Sequence, residues 1–166
     1  GKPIWDRRFV QLWHHVYSPD GSRIAAIAAP EFGRWTVAVD GAPWRRTFGD
    51  YVADARFSPD GGRIACIGVE KGKATVVVDG EPWSVSFERA WPPVFSPDGR
   101  HVAVKTESGG KYSLHVDGRR HAQTYLDMAD PVFSPDGDKV LVRAVKKDPA
   151  GDQVFVRVVV DVKDLV

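Results

Sequence analysis

The sequence predicts an all-β fold, a β-propeller of four four-stranded antiparallel blades. Two observations carry this reading. Ser-Pro-Asp-Gly recurs at Ser18, Ser58, Ser96 and Ser134, at intervals of 40, 38 and 38 residues. A second marker, Val-Asp-Gly, starts at Val39, Val78 and Val116, with a degenerate fourth copy at Val160-Asp161-Val162. Four short strands per period of about 40 residues is the arithmetic of a propeller blade.

Each element of the unit has a local cause. An aromatic, Tyr17, Phe57, Phe95 or Phe133, precedes each first marker. Proline then pre-sets φ in a tight turn, Asp tolerates the next position, and Gly takes the positive φ that follows. Period-2 strands are expected at 23–28, 63–69, 101–106 and 139–145. A short polar loop leads to partner strands at 35–39, 75–78, 112–116 and 154–160. Asp-Gly closes three of these as a hairpin turn. An outer strand then starts at Pro43-Trp44 and again at Pro82-Trp83. The repeats run over about 1–40, 41–79, 80–117 and 118–166, as one domain.

The aromatic–Ser-Pro-Asp-Gly-x-x-[Ile/Val]-[Ala/Leu] run, four times over, resembles the WD40-like (TolB-type) β-propeller repeats and covers the whole chain. The Val-Asp-Gly-x-Pro-Trp element is similar to tryptophan-rich repeat proteins of bacterial Tmc-type electron-transport complexes. Trp44 and Trp83 carry it, and His121 takes that place in the third copy. The second resemblance implies an accessory subunit of an electron-transport assembly. The Trp-Asp ending and Gly-His pair of WD40 repeats are missing, so their scaffold functions are not implied.

Gly1-Lys2-Pro3-Ile4-Trp5 reads like Gly41-Ala42-Pro43-Trp44, so the chain opens with an outer strand of a preceding blade. The expected closure pairs Gly1–Phe9 with the strand 154–160, hiding two sheet edges. Three arrangements satisfy that pairing: one chain closed as four blades, two chains head-to-tail as an eight-bladed homodimer, or a segment of a longer propeller.

Charge gives no electrostatic footprint for nucleic acid, with 23 basic against 22 acidic residues. No apolar run reaches membrane-span length and no charged, then apolar leader is seen. The lone Cys66 alternates as a buried hydrophobe and forms neither disulfide nor zinc site; no haem or cluster motif occurs, so no cofactor is expected. Turn chemistry accounts for Asp20, Asp60, Asp98 and Asp136, and for Asp40, Asp79 and Asp117.

No activated nucleophile or carboxylate pair stands out, so the expected function is a non-catalytic protein-interaction scaffold. Trp13, Trp35 and Trp91 break the repeat and are the expected partner-binding residues. The alternative is small-ligand or cation binding in the central channel. There His14, Asp54 and Asp130 superpose on the innermost strands and are the candidate ligands, with no established metal site.

Overall fold

The computed structural model describes residues 4–165 and is all-β apart from one 3₁₀ turn at Val162–Asp164. Four antiparallel sheets follow one another along the chain. Blade 1 holds β1 (Gln11–Tyr17), β2 (Ile24–Glu31), β3 (Arg34–Val39) and β4 (Ala42–Pro43). Blade 2 holds β5 (Tyr51–Phe57), β6 (Ile64–Glu70), β7 (Lys73–Val78) and β8 (Glu81–Pro82). Blade 3 holds β9 (Arg89–Ala90), β10 (Val94–Phe95), β11 (Val102–Ser108), β12 (Lys111–Val116) and β13 (Arg119–Tyr125). Blade 4 holds β14 (Asp127–Met128), β15 (Val132–Phe133), β16 (Lys139–Lys147) and β17 (Gln153–Asp161). The long strands match the expected ones to within a few residues.

The Ser-Pro-Asp-Gly turn is closed by side chains as well as backbone. The Gly21 amide donates to the Ser18 carbonyl at 2.8 Å. Ser18 Oγ donates to Asp20 at 2.6 Å and accepts from the Arg23 amide at 3.0 Å. The same bonds recur at Ser58, Ser96 and Ser134. The serine hydroxyl holds each carboxyl below its ordinary range, that of Asp20 at about 2. These acids are turn components, as expected.

The Asp-Gly turns need positive φ at both residues: 51° and 84° at Asp40 and Gly41. Asp40 does more than turn. Its Oδ1 accepts the Ile24 amide at 2.9 Å, and its Oδ2 accepts Arg23 Nε at 3.0 Å. Arg23 reaches onward to the Gly61 carbonyl of the next blade's turn at 3.2 Å. Arg63 repeats the link through Asp79 and Gly99. This position is therefore a clamp between consecutive blades.

Side chains of each sheet alternate between a rear face, toward the preceding blade, and a front face, toward the following one. Ile64 and Cys66 of β6 pack back on blade 1, with Ala25, Ile27, Val37 and Phe48. Ala65, Ile67 and Val69 of the same strand pack forward on blade 3, with Phe87, Phe95, Val102 and Val104. Blade 3 meets blade 4 through Ala103, Leu114, Val116 and Tyr125 against Val140 and Val142. Burial pushes the Cys66 thiol up, and it stays an inert apolar filler.

The innermost strand breaks at one place in every blade. Blades 1 and 2 carry a β-bulge there, with His14 and Asp54 at φ 51° and 56°. Blades 3 and 4 have Pro92-Pro93 and Pro131 instead, which lack a ladder amide and split the strand in two.

At the chain ends the fourth marker departs from expectation, and the closing pairing is not seen within one chain. Leu141 pairs with Val159 as Ala103 pairs with Val116, so Asp161 lies one residue beyond the register of Asp117. No glycine follows it, and β17 runs on into the 3₁₀ turn. The expected pairing of Gly1–Phe9 with this strand is not seen either. Gly1–Pro3 lie outside the described residues, Ile4–Phe9 joins no sheet, and β17 pairs with β16 and no other described strand. Trp5 instead packs on Gly41, where a Cβ would lie 3.1 Å from its ring. Trp44 and Trp83 pack the same way on Gly80 and Gly118. An outer strand thus finds its apolar contact on the blade that follows it.

A Cβ at Gly68 would come within 2.6 Å of the Phe48 ring. Gly68→Val is expected to destabilise by about 2 kcal/mol or more through overpacking, read from urea unfolding. His115 is buried against Phe87, their ring centroids 4.7 Å apart, and Nδ1 lies 3.0 Å from Thr106 Oγ1. Burial lowers its pKa from 6.5 to about 4. The unfolded chain therefore binds the extra proton between those values, and stability falls as pH drops from about 6.5 to 4. His115→Val, the residue blade 2 carries there as Val77, is expected to remove that part of the fall.

Candidate interaction face

No sheet among the described residues covers the front face of blade 4. Its rows are read from strand register: Val132, Leu141 and Val159; then Arg143 and Arg157; then Asp127, Val145 and Phe155. The same positions in blade 2 include Ala65, Ile67, Val69, Ala74 and Val76, all buried under blade 3. In blade 4, Phe155 is 90% exposed and Val159 62% exposed. Arg143 and Arg157 are exposed beside them. A cavity of about 420 Å³ opens here, lined by Met128, Ala144, Val145, Phe155 and both arginines among others.

By register, Trp35 stands at the position of Ala74 and Tyr112, and the fourth occupant is Phe155, one residue past Val154 where the expected strand begins. Val145 pairs with Phe155 as Val69 pairs with Ala74 and Glu107 with Tyr112. The backbone at this position is where the outer strand attaches: Trp35 and Phe48 exchange amide bonds of 2.8 Å, as do Ala74 and Phe87 at 2.9 and 2.8 Å. At Phe155 that edge is open, because β17 has no outer neighbour among the described residues. Phe155 was not singled out from sequence. The missed signal is the aromatic Trp35, Tyr112 and Phe155 in three of four copies, hidden by the one-residue slip of the fourth marker.

The expected partner-binding tryptophans sit elsewhere. Trp13 and Trp35 meet edge-on with centroids 4.6 Å apart. Trp35 is half-buried against the core between blades 1 and 2, while Trp13 is 37% exposed. Trp91 lies 5.5 Å from Tyr112 and under the Lys105 ammonium, 4.4 Å from its ring centroid. Trp13 and Trp91 occupy one register and pair with third-strand aromatics, so both are held by the front face of their own blade.

The channel candidates are not brought together. His14 Nε2 lies 3.2 Å from the Ala55 carbonyl, Asp130 pairs with Lys105 Nζ at 3.2 Å, and Asp54 occupies its own bulge. Among the described residues no three His, Cys, Asp or Glu side chains are placed to hold a metal ion.

Solved structures were compared with this arrangement. The chain is similar to the β-propeller domain of the Trilobed protease from Pyrococcus furiosus, described as having an open velcro topology, at 14% identity and TM-score 0.54. The likeness covers 92% of this chain and 54% of that one. The chain has a β-propeller-type fold. Weaker likenesses are to proteins described as a "putative 6-phosphogluconolactonase" from Bacteroides fragilis (15% identity, TM-score 0.46) and from Bacteroides uniformis (17%, 0.40). Each covers 90% of this chain and 55% of the other. The chain thus spans about half the length of these structures. No protein-family model matches it, and no curated protein does.

One expectation is corrected by these names. The expectation that the chain is not an enzyme meets structural neighbours named "putative 6-phosphogluconolactonase" and is withdrawn. Fold alone does not separate enzymes from binding proteins.

Phe32 is 91% exposed in the β2–β3 turn, so Phe32→Ser is expected to change the unfolding free energy by less than about 0.5 kcal/mol, whereas Phe48→Ala costs about 3–5. Paired urea titrations check both values.

Proposed function

We infer that the chain is a protein-interaction scaffold that takes a partner's β-strand on the open edge of β17. An aromatic of that strand packs over the front face of blade 4. The observation that supports this most directly is Phe155, 90% exposed at a position where Ala74 is 4% exposed under its neighbour. Exposed edges recruit strands through main-chain bonds, and pockets beside them select the side chains that come along. Two apolar rows lie on either side of Arg143 and Arg157, and arginine is the charged residue enriched within interfaces. Ring closure belongs to the same reading, since the strand that completes blade 4 comes from outside its own sheet.

A photo-crosslinking residue in place of Phe155 tests the reading, with the same residue in place of Phe32 as control. Phe32 is 91% exposed but lies in the β2–β3 turn, away from the edge. Cells that make the protein are expected to yield a discrete protein adduct from position 155 and none from 32. Adding Arg157→Pro, which removes an amide from the edge strand, should reduce the adduct to the control level. Equal labelling at 155 and 32, or an adduct indifferent to the proline, would overturn the proposal.

A further inference from the structure

We propose that the strand completing blade 4 is the N-terminal segment of a second copy of this chain, so that two copies close head-to-tail into an eight-bladed ring. This rests on the β17 edge being a strand-accepting site and names its occupant.

The two ends of the chain are complementary halves of one contact. At the C-terminal end, β17 lacks its outer strand and Phe155 and Val159 lack a cover. At the N-terminal end, an outer segment is present without a blade of its own. Trp5 and Phe9 repeat the spacing of Trp44 and Phe48, and of Trp83 and Phe87. The Val10 amide bonds the Ala29 carbonyl at 2.8 Å, as the Asp50 amide bonds Val69 and the Glu88 amide bonds Glu107. Trp5 sits on Gly41 as its counterparts sit on Gly80 and Gly118. The segment is therefore already placed on blade 1 as a preceding blade's outer strand would be.

The rear face of blade 1 is uncovered to match. Tyr17 is 67% exposed where Phe95 is 9%, and Ile24 is half-buried where Ile64 and Val102 are 2% and 0%. One chain leaves its two ends apart, with no described strand of blade 1 paired to β17. Two copies satisfy both ends twice. The contact joins unlike surfaces and must close or polymerise. Eight blades lie within the ordinary propeller range. The likeness to a propeller domain of which this chain covers 54% fits four blades curved as part of a larger ring.

The repeat dictates the register. Trp35 bridges Phe48 and Ala74 bridges Phe87, so Phe155 of one copy bridges Phe9 of the other. The Trp44 amide bonds the Val37 carbonyl, so the Trp5 amide of one copy bonds the Arg157 carbonyl of the other.

Disulfide trapping tests this. A chain with Phe9→Cys is mixed with a chain carrying Phe155→Cys and oxidised; Cys66 is buried and does not compete. The expected product is a mixed dimer on a non-reducing gel, with little dimer from either chain alone. The unmodified protein should have twice the 18.3 kDa of one chain by light scattering. Phe155→Asp should return it to one chain that remains folded and whose melting temperature no longer rises with protein concentration. A chain carrying both cysteines that forms the bond within itself, and stays monomeric, would mean a four-bladed ring and overturn the proposal. So would a monomer at high micromolar concentration, a dimer indifferent to Phe155→Asp, or polymers beyond two copies. If position 155 crosslinks another protein while this trapping fails, the scaffold reading stands and the second copy is wrong. If it crosslinks nothing, the scaffold reading itself is lost.

Discussion

A four-stranded sheet cannot bury either of its own faces, and the rest of this structure depends on how each blade lends an aromatic to the next. Phe48 leaves blade 1 and lies over Gly68 of blade 2, so close that no side chain fits beneath it. Phe87 reaches from blade 2 to His115 of blade 3, and Tyr125 joins the core with Val142 and Ala144 of blade 4. The receiving positions are Gly68, Thr106 and Ala144, all small. Large aromatic against small acceptor keeps the wedge between sheets filled without strain, which is what dense interior packing demands. The fold is additive along the arc, as in other repeat architectures, with each blade answerable to its neighbours.

That dependence explains why so much was legible. Turn chemistry is local, so Ser-Pro-Asp-Gly and Asp-Gly place the hairpins without knowledge of the rest. Alternation then sets the strands between them. What failed was long-range or register-dependent. Val160-Asp161-Val162 matches the second marker as a degenerate copy, but only cross-strand pairing reveals the one-residue slip that puts Phe155 on the aromatic position. At the position of Arg23 and Arg63 the sequence shows only a recurring polar residue. Their inter-blade bonds depend on a turn nearly 40 residues downstream, which no local pattern announces.

The residues that break the repeat divide by the same logic. His14 and Asp54 share a bulge and a positive φ, so their alignment was sound although their convergence was not. Their superposition reflects a backbone requirement: Asn, Asp and His tolerate the left-handed region better than most side chains. Blades 3 and 4 break the strand at the same place by another means, a proline that withholds a ladder amide without entering the left-handed region. Trp13 and Trp91 likewise stand in one register because each covers a third-strand aromatic of its own blade. Non-repetitive residues can therefore serve the repeat, and irregularity in sequence alone is weak evidence of a site.

A stronger criterion is a residue that keeps the repeat's chemistry where the repeat's burial has been withdrawn. Phe155 and Val159 meet it at one end and Tyr17 at the other. In the interior blades these positions are covered, and a solitary protein gains nothing by keeping a phenylalanine in water there. Arg143 and Arg157 sharpen the point. They replace Ile67 and Val76 on the blade 2 face, and Arg143 stands where blade 3 has Lys105, which reaches Asp130 of the following blade at 3.2 Å. Charge at the centre of a blade face is thus already tolerated once, when the next blade answers it with a hydrogen-bonding group. The end face keeps the apolar rows on either side of its arginines, which is the composition of a surface built to be covered and not of one built to stay wet.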